Sequence, residues 1–273
     1  MRRMRVVGLC LVAVFALGAM LAASAQAKKS TPITGPFKVT STTGEALLKA
    51  AVMGNVKCKH GEDVGEITGP KVGTDTVTFF ECEGFGFKCH SEGEPSGTIK
   101  TFLLDTELGW ISKAKGEVGI DLKSGEAGKE PYLAEFDCEG LKAKVKGSVI
   151  GLLGPVNHMG ITETQTFTGE GFVQEIQNLE GMGKDTLITE TSKTGSQELE
   201  SAQNAVGTTT NEEVEVKGKK GKVEKKADPA EIDTVSGTPE YGRCQAKKNG
   251  KYADGNCQTK VSKKGKYEWE PIS

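Results

Sequence analysis

Short stretches in which apolar and polar residues alternate run along most of this chain. Residues 76–80 are rich in β-branched and aromatic side chains, residues 118–122 alternate, and residues 141–146 alternate with three lysines. Such alternation gives a strand one buried and one solvated face. Further stretches of this kind predict strands at 148–153, 164–169, 172–176, 186–191 and 213–216.

Glycines separate these stretches and predict turns between short strands. The chain has 36 glycines in 273 residues, against a usual share of about 7%. About a dozen short strands with closely spaced turns indicate an all-β fold, an antiparallel β-sandwich or barrel. No alternation of strands with helices occurs, so a parallel α/β fold is not expected. One segment, 45–53, has the alanine and leucine content of a short helix.

Charge and composition divide the chain after an antiparallel β domain predicted over 28–217. Residues 218–239 are mostly charged and small, which predicts a solvated linker. Residues 240–273 predict a small basic and aromatic module closed by Cys244 and Cys257, since so short a unit usually needs a covalent staple. Residues 217–273 hold 14 basic against 8 acidic residues, whereas 28–216 hold 18 against 29. An acidic body with a basic tail suggests two different roles.

The first 27 residues predict a secretory signal peptide. Three arginines precede an apolar run over 6–23, and Ala25-Gln26-Ala27 is a small-x-small cleavage site. The alternative is an uncleaved membrane anchor, because a run of about 18 residues is near the lower limit for a spanning helix. The cleavage site favours export, so we expect a secreted or cell-envelope protein with no membrane span after cleavage.

Export places the cysteines in an oxidising compartment. Removal of the signal peptide leaves six, which predict three disulfides, formed by Cys58, Cys82, Cys89, Cys138, Cys244 and Cys257. Six cysteines allow 15 pairings, so spacing does not determine the connectivity. Our working hypothesis pairs Cys82 with Cys89 as a local loop closure and Cys58 with Cys138 as a link between strands.

Several motifs together resemble a known group of proteins. They are 56–58 (VKC), 78–82 (TFFEC), 96–101 (SGTIKT), 136–138 (FDC), 146–151 (KGSVIG), and the tail segments 240–244 (EYGRC) and 265–269 (GKYEW). With this pattern the chain resembles a family of secreted β-rich proteins of soil actinobacteria whose function is unknown. The resemblance implies a secreted β protein and carries no ligand, activity or cofactor.

Catalytic motifs are not found in the sequence. Cys58-Lys59-His60 and Cys89-His90 could supply zinc ligands, but in an exported protein these cysteines are expected to be oxidised. No Gly-x-Ser-x-Gly, His-Glu-x-x-His or phosphate loop is present. Paired carboxylates for glycoside hydrolysis remain an alternative, because the chain has 37 acidic residues. We therefore expect neither a catalytic site nor a cofactor nor a bound metal.

The basic tail offers the sharpest binding hypothesis. Its lysines interleave with aromatic residues, a composition that can hold anionic polymers such as cell-wall glycans. The candidate residues are Tyr241, Arg243, Lys251, Tyr252, Lys266, Tyr267 and Trp269. The alternative is a mini-core in which the aromatic residues pack on the disulfide and the lysines confer solubility. Nucleic acid is not an expected partner, and oligomeric state is not readable from the sequence.

These observations predict a non-enzymatic exported protein whose β domain is a scaffold or ligand module and whose tail binds anionic cell-wall polymer. A secreted hydrolase acting on polysaccharide is the alternative from another functional class. A third possibility, a carrier of a small molecule, requires a domain interior that small residues leave open.

Overall fold

A computed structural model describes the chain as strands and their connections. The described residues are 30–32, 37–51, 53–125, 131–156, 162–192, 199–211, 213–217, 223–229, 232–236, 241–248, 251–252, 257–261 and 267–271. No helix occurs among them, which confirms the all-β, antiparallel prediction. None of these residues forms a helix long and apolar enough to cross a bilayer. The predicted signal peptide, 1–27, lies outside the described residues.

Twenty-five strands are present in the described part of the chain. The first thirteen are β1 Ser30–Pro32, β2 Phe37–Thr43, β3 Ala46–Ala50, β4 Gly54–Cys58, β5 His60–Ile67, β6 Val72–Phe80, β7 Glu83–Gly84, β8 Phe87–His90, β9 Ile99–Lys100, β10 Leu104–Ser112, β11 Glu117–Ser124, β12 Ala134–Cys138 and β13 Leu141–Gly154. The others are β14 Thr162–Phe167, β15 Gly169–Glu170, β16 Val173–Gln174, β17 Leu187–Thr191, β18 Leu199–Asn211, β19 Glu213–Lys217, β20 Val223–Pro229, β21 Ile232–Ser236, β22 Tyr241–Lys248, β23 Lys251–Tyr252, β24 Cys257–Val261 and β25 Tyr267–Pro271. Every stretch that alternation predicted as a strand contains one, although 172–176 contains only the short β16.

Antiparallel pairing in the largest sheet runs in two closed circuits. One circuit follows β10, β11, β13, β14, β18, β2, β5 and β6, and β6 pairs again with β10. The other follows β13, β12, β8, β7, β4, β3, β18 and β17, which returns to β13. The long strands β13 and β18 belong to both, because each half of their length pairs with different neighbours. In a closed circuit each strand has a neighbour on both sides, so its backbone N–H and C=O groups can form hydrogen bonds at both edges.

Alternate residues of these strands face a shared interior. In β5, Gly61, Asp63, Gly65 and Ile67 are buried, whereas Val64 between them is 61% exposed. The apolar core draws on both circuits. Its most deeply buried side chains include Met53, Leu104, Leu108, Val118 and Ile150. Burial of one strand face is the main stabilising contribution that this pattern encodes.

Gly147 lies where β13 passes from one circuit to the other. Its φ is +93°, and a Cβ at this position would lie 1.9 Å from the backbone oxygen of Thr186. Only glycine combines this conformation with so close an approach of a neighbouring backbone. The strand therefore changes partners at a position where no side chain is tolerated.

The predicted short helix at 45–53 is wrong. Residues Ala46–Ala50 form strand β3, which pairs with β4 on one side and with β18 on the other. Ala46 and Ala50 are both buried, and a spacing of four residues suits one helix face and one strand face equally. Because local composition leaves this choice open, pairing with two neighbouring strands decides it.

The hypothesis on disulfide pairing is also wrong, although four of the predicted cysteines do form disulfides. The bonds are Cys58–Cys82 and Cys89–Cys138. Cys89 and Cys138 lie opposite each other in the register of β8 and β12. Cys82 and Cys89 are neighbours joined by a backbone hydrogen bond from the Cys89 N–H to the Cys82 carbonyl. They do not bond to each other through sulfur, because each sulfur is bonded to a cysteine of another strand.

The tail is described as backbone strands. Within the predicted linker, 218–239, lie the strands β20 and β21, which pair with β19 and β22. Strand pairing uses main-chain groups and does not require an alternating sequence, so the composition did not reveal them. Strand β22 also pairs with β1, which brings the start of the described chain to the tail. Cys244 and Cys257 lie in β22 and β24, and their side chains are outside the described part of the structure.

Candidate functional site

The interior of the β domain contains a cavity of about 120 Å³. Strands of both circuits contribute to its wall, and most of the lining is apolar. The apolar wall includes Leu48, Val77, Phe79, Leu104, Leu133, Phe136, Val149, Phe167 and Ala205. Apart from Leu133, which directly precedes β12, these residues occupy inward positions of their strands, so the alternation that builds the core also shapes the cavity.

A row of hydrogen-bonded polar residues runs along one part of this wall. Three of its members line the cavity, and the other polar lining residues are Thr43, Thr101 and Gln203. Ser41 on β2 lies opposite Asp63 on β5 and, across its other edge, opposite Thr209 on β18. Gln165 follows on the next strand, β14, two positions along from the partner of Thr209. Antiparallel register therefore aligns four polar side chains from four adjacent strands on the inward face. All four are at least nine-tenths buried.

Hydrogen bonds run along this row towards Asp63. The Gln165 amide donates to Thr209 Oγ1 at 2.9 Å, and the Thr209 and Ser41 hydroxyl oxygens are 2.8 Å apart. Ser41 hydrogen-bonds to the Asp63 carboxyl. An ionised carboxyl only accepts, so Ser41 donates to Asp63 and Thr209 donates to Ser41. Each of the two hydroxyls then donates one hydrogen bond and accepts one. Ser41 thus supplies both a side-chain and a backbone hydrogen bond to the Asp63 carboxyl at the cavity wall.

Burial raises the pKa of Asp63 to about 6, and the hydrogen bonds from Ser41 only partly oppose this. Asp75 on β6 is buried on the same side of the sheet, opposite Gly65. Burial and the nearby charge of Asp63 raise the pKa of Asp75 to about 8. Among the described residues, Asp75 Oδ1 receives no hydrogen bond. A Cβ at Gly65 would lie 3.1 Å from that oxygen, so glycine leaves room for the carboxyl.

A third buried carboxyl lies on the outer face, on β11. Lys123 Nζ is 3.9 Å from Asp121 Oδ2 and donates to Glu107 at 2.6 Å. Ser148 donates to Asp185 at 2.8 Å beside them. Burial raises the pKa of Asp121 to about 7, with a further contribution from the charge of Asp185, while Lys123 opposes the shift. Here the protein itself supplies the cation.

An open groove of about 850 Å³ forms a second concavity. Its walls are polar and more acidic than basic, and they include Lys88, His90, Glu92, Glu94, Lys100, Glu135, Asp137, Glu139 and Lys142. The Nδ1 atom of His90 is buried and makes no hydrogen bond within the described residues. The groove brings together side chains from β8, β12 and the segments around them.

The proposed zinc ligands do not come together as thiolates. Cys58 and Cys89 are in disulfides, so their sulfurs are not available as the deprotonated ligands that zinc needs. His60 stacks on Phe80, with ring centroids 5.0 Å apart. Among the described residues no group of three His, Cys, Asp or Glu side chains is placed to hold a metal ion.

The predicted polymer-binding residues are placed only by their backbone. Tyr241 and Arg243 lie in β22, Lys251 and Tyr252 lie in β23, and Tyr267 and Trp269 lie in β25. Lys266 lies outside the described residues. Strands β22 and β23 pair directly, which gives four of the candidates a common sheet. The binding prediction stays a prediction.

Sequence reasoning missed the polar row and Asp75. Their signal was present as acidic or polar residues at inward positions, since Asp63 alternates with buried glycines and Asp75 shares a face with Val77 and Phe79. A carboxyl at such a position is rare without a functional or paired role. Comparison with known protein families, with curated proteins and with solved structures gives no match to this chain.

Proposed function

We propose that this chain is an exported binding protein without catalytic activity, whose β domain takes a small and mostly apolar molecule into its interior. The observation that carries this proposal is a mostly apolar cavity whose polar lining includes Ser41, Asp63 and Gln165, linked through Thr209, together with Thr43, Thr101 and Gln203. Ligand sites typically combine apolar walls with a few fixed polar groups, which orient the ligand. This arrangement corresponds to the ligand-module form of the sequence prediction.

The volume limits the size of the ligand. The cavity measures about 120 Å³, whereas an apolar protein cavity of about 150 Å³ stays dry and binds benzene or xenon. We therefore expect a ligand of benzene size or slightly smaller. A larger molecule would not be contained within this volume.

Export is supported by the signal-peptide pattern of residues 1–27 and by two disulfides. Disulfides persist mainly in oxidising compartments outside the cytosol. We propose that the protein acts in the secretome or at the cell envelope. There the body binds its ligand while the tail associates with anionic polymer.

Binding of small apolar probes tests the cavity. Xenon and benzene should shift the methyl resonances of cavity residues in the mature protein. Ala205→Leu should fill part of the space and weaken benzene binding at least tenfold. Val206→Leu is the matched control, because Val206 is the next residue of β18 and is 54% exposed. Equal benzene binding by both variants, or no binding by the unmodified protein, would contradict the proposal.

Binding to cell-wall sacculi tests the tail. We expect salt-sensitive cosedimentation of the mature protein, because attraction between exposed charges is screened by salt. Replacing Arg243 and Lys251 by serine should weaken it several-fold. The matched control is Lys38→Ser, a substitution on an exposed position of β2. Cosedimentation that changes neither with salt concentration nor on replacement of Arg243 and Lys251 would overturn the tail proposal. It would leave the cavity proposal unaffected.

A second candidate function, hydrolysis of polysaccharide, is favoured by the acidic open groove. Glycoside hydrolases use two carboxyl groups that flank the scissile bond, and Glu94, Glu135 and Asp137 line one concavity. Release of reducing ends from wall polysaccharide would support this function if Glu135→Gln abolished it. The control is Glu62→Gln, at an exposed position outside the groove. A protein without hydrolytic activity on a panel of wall polysaccharides would exclude this candidate.

A further inference from the structure

We propose that the molecule bound in the interior cavity is a small organic ammonium ion, an apolar amine whose protonated nitrogen pairs with the Asp63 carboxylate. This inference rests on the proposed function, in which the cavity is the ligand site, and it names the chemical class of that ligand. It follows from the charges of the lining, from the direction of the hydrogen bonds and from the volume.

The ionisable part of the cavity wall is acidic only. Asp63 is the only ionisable residue that lines the cavity, and no lysine, arginine or histidine is among the described lining residues. Asp75, on the adjacent strand, is the charged group that faces Asp63, and it adds a second carboxyl. A buried carboxylate without a cation is costly unless a partner neutralises it.

The outer face shows how the same domain treats a buried carboxyl that needs no ligand. There Lys123 lies 3.9 Å from Asp121 and also bonds Glu107. No equivalent lysine reaches Asp63 among the described residues. The missing positive charge is therefore one that a ligand can bring.

The hydrogen bonds around Asp63 are suited to a cationic donor. Ser41 provides a hydrogen bond to the carboxyl, and Thr209 with Gln165 holds Ser41 in place. A carboxylate has about four acceptor positions, and an ammonium group has three donors and no acceptor. An alcohol would offer one donor without charge, and a carboxylate ligand would be repelled.

The apolar wall strengthens this selection. Val77, Phe79 and Leu104 lie near the acidic end of the lining, and an ion pair is stronger among apolar side chains, where the effective dielectric constant is lower than in water. In the ligand-free protein, burial shifts the pKa values of both Asp63 and Asp75 upward. An ammonium ion beside them would oppose that shift, since an opposite charge favours the ionised form of a carboxyl.

A set of isosteric probes tests the ligand class. Cyclobutylamine, cyclobutanol and methylcyclobutane have the same number of non-hydrogen atoms, one fewer than benzene, and they differ only in the group presented to Asp63. We expect the mature protein at pH 7.5 to bind the amine at least tenfold more tightly than the hydrocarbon, as measured by titration calorimetry or by NMR. The alcohol should bind with intermediate affinity.

Two variants locate the preference. Asp63→Asn should abolish the amine preference and leave hydrocarbon binding within about threefold of its original value. Asp121→Asn is the matched control, a buried carboxyl outside the cavity, and should retain the preference. A measurement without substitution is the amine-induced rise in Tm, which should shrink between pH 7.5 and pH 4.5 because Asp63 then takes up a proton.

The outcomes separate this inference from the proposed function. Hydrocarbon binding with no amine preference, or a preference that survives Asp63→Asn, would overturn the ammonium ligand and leave the cavity as a binding site. Absence of binding by all three probes and by xenon would overturn both. An amine preference that only Asp63→Asn removes is the result we expect.

Discussion

The β domain contains two buried carboxyl sites that solve the same physical problem differently. On the outer face, Asp121 lies beside Lys123 within a group that also holds Glu107 and Asp185. In the interior, Asp63 and Asp75 are close enough to influence each other, yet no basic residue lines the cavity among the described residues. Burial raises the carboxyl pKa at both sites. The comparison teaches that only the outer site has a cation supplied by the protein, although Asp121 Oδ1, like Asp75 Oδ1, receives no hydrogen bond among the described residues.

This difference separates a structural role from the binding role that we propose for the interior. A buried ion pair is weak support for stability, but removal of one partner is costly because the other charge stays buried. The outer group has such a partner in Lys123, so the stability of the folded protein should depend on this lysine. The charge of the interior carboxyls must instead be neutralised by a bound proton or by a ligand. Four substitutions, ordered from the largest expected effect to the smallest, probe this contrast.

Removal of the outer cation should have the largest effect. Lys123→Met leaves Asp121, Glu107 and Asp185 without their cation, so the free energy of unfolding should fall by about 2 kcal/mol at pH 8. This is below the usual loss for a fully buried pair because Lys123 is partly exposed. Urea denaturation measures it. The control Lys38→Met, on an exposed position of β2, should change stability by no more than about 0.5 kcal/mol. Equal effects of the two substitutions would remove the contrast.

Removal of an interior charge should have the opposite sign. The folded protein binds the Asp75 proton more tightly than the unfolded chain, since burial and Asp63 raise its pKa to about 8. This contribution to stability is therefore fully present below about pH 4 and is lost as pH rises towards 8. Asp75→Asn keeps the shape and cannot ionise.

We expect Asp75→Asn to raise the free energy of unfolding by on the order of 1–2 kcal/mol at pH 8.5, with little change at pH 4. Urea denaturation across this pH range checks the prediction. A variant that is less stable than the unmodified protein at pH 8.5 would show that Asp75 is not an uncompensated charge.

Removal of the hydroxyl at the middle of the polar row should cost less than removal of Lys123. Thr209→Val keeps the side-chain shape but deprives Gln165 of its acceptor and Ser41 of its neighbour. Loss of a partner for a buried donor costs about 1–3 kcal/mol, and we expect the lower end because Ser41 retains Asp63. The control Thr42→Val, at an exposed position of β2, should be nearly neutral by thermal denaturation. A neutral Thr209→Val would show that the row is not a connected network.

Removal of an exposed ion pair should have almost no effect. Lys57 Nζ is 2.7 Å from Glu45 Oε2, but both side chains are more than half exposed. Exposed pairs contribute a median of about 0–1 kcal/mol, so Lys57→Ala should change Tm only slightly. A loss as large as that of Lys123→Met would mean that exposure does not distinguish the charged groups of this domain.

The alternating pattern was sufficient to predict the secondary structure of much of the body. It identified β6, β11, β13 and β17 from alternation and from β-branched and aromatic content, which are visible without any knowledge of neighbours. Burial of both faces of β11 over residues 118–122 was not visible in this way. It did not reveal β20 and β21, whose charged sequences carry no such period. The spacing of the two alanines of β3 fits the period of a helix as well as that of a strand. The sequence therefore predicted a helix there, whereas pairing with β4 and β18 makes the segment a strand.

The candidate site required the tertiary structure. Ser41, Asp63, Gln165 and Thr209 are far apart in the chain, and only the register of β5, β2, β18 and β14 aligns them in one row. The same holds for the disulfides, whose connectivity depends on which strands are adjacent. Pairing between distant strands is a long-range property that local spacing does not encode.

What the sequence determined by itself is the kind of structure: all-β, antiparallel, with alternating faces, cysteines suited to disulfides and charge concentrated by sign in body and tail. These properties follow from local side-chain chemistry and composition. Tertiary structure alone decided that the strands close into two circuits with a cavity in the interior. It also decided that a carboxyl without a cation faces that cavity, because burial and charge compensation are set by residues that meet only in the fold.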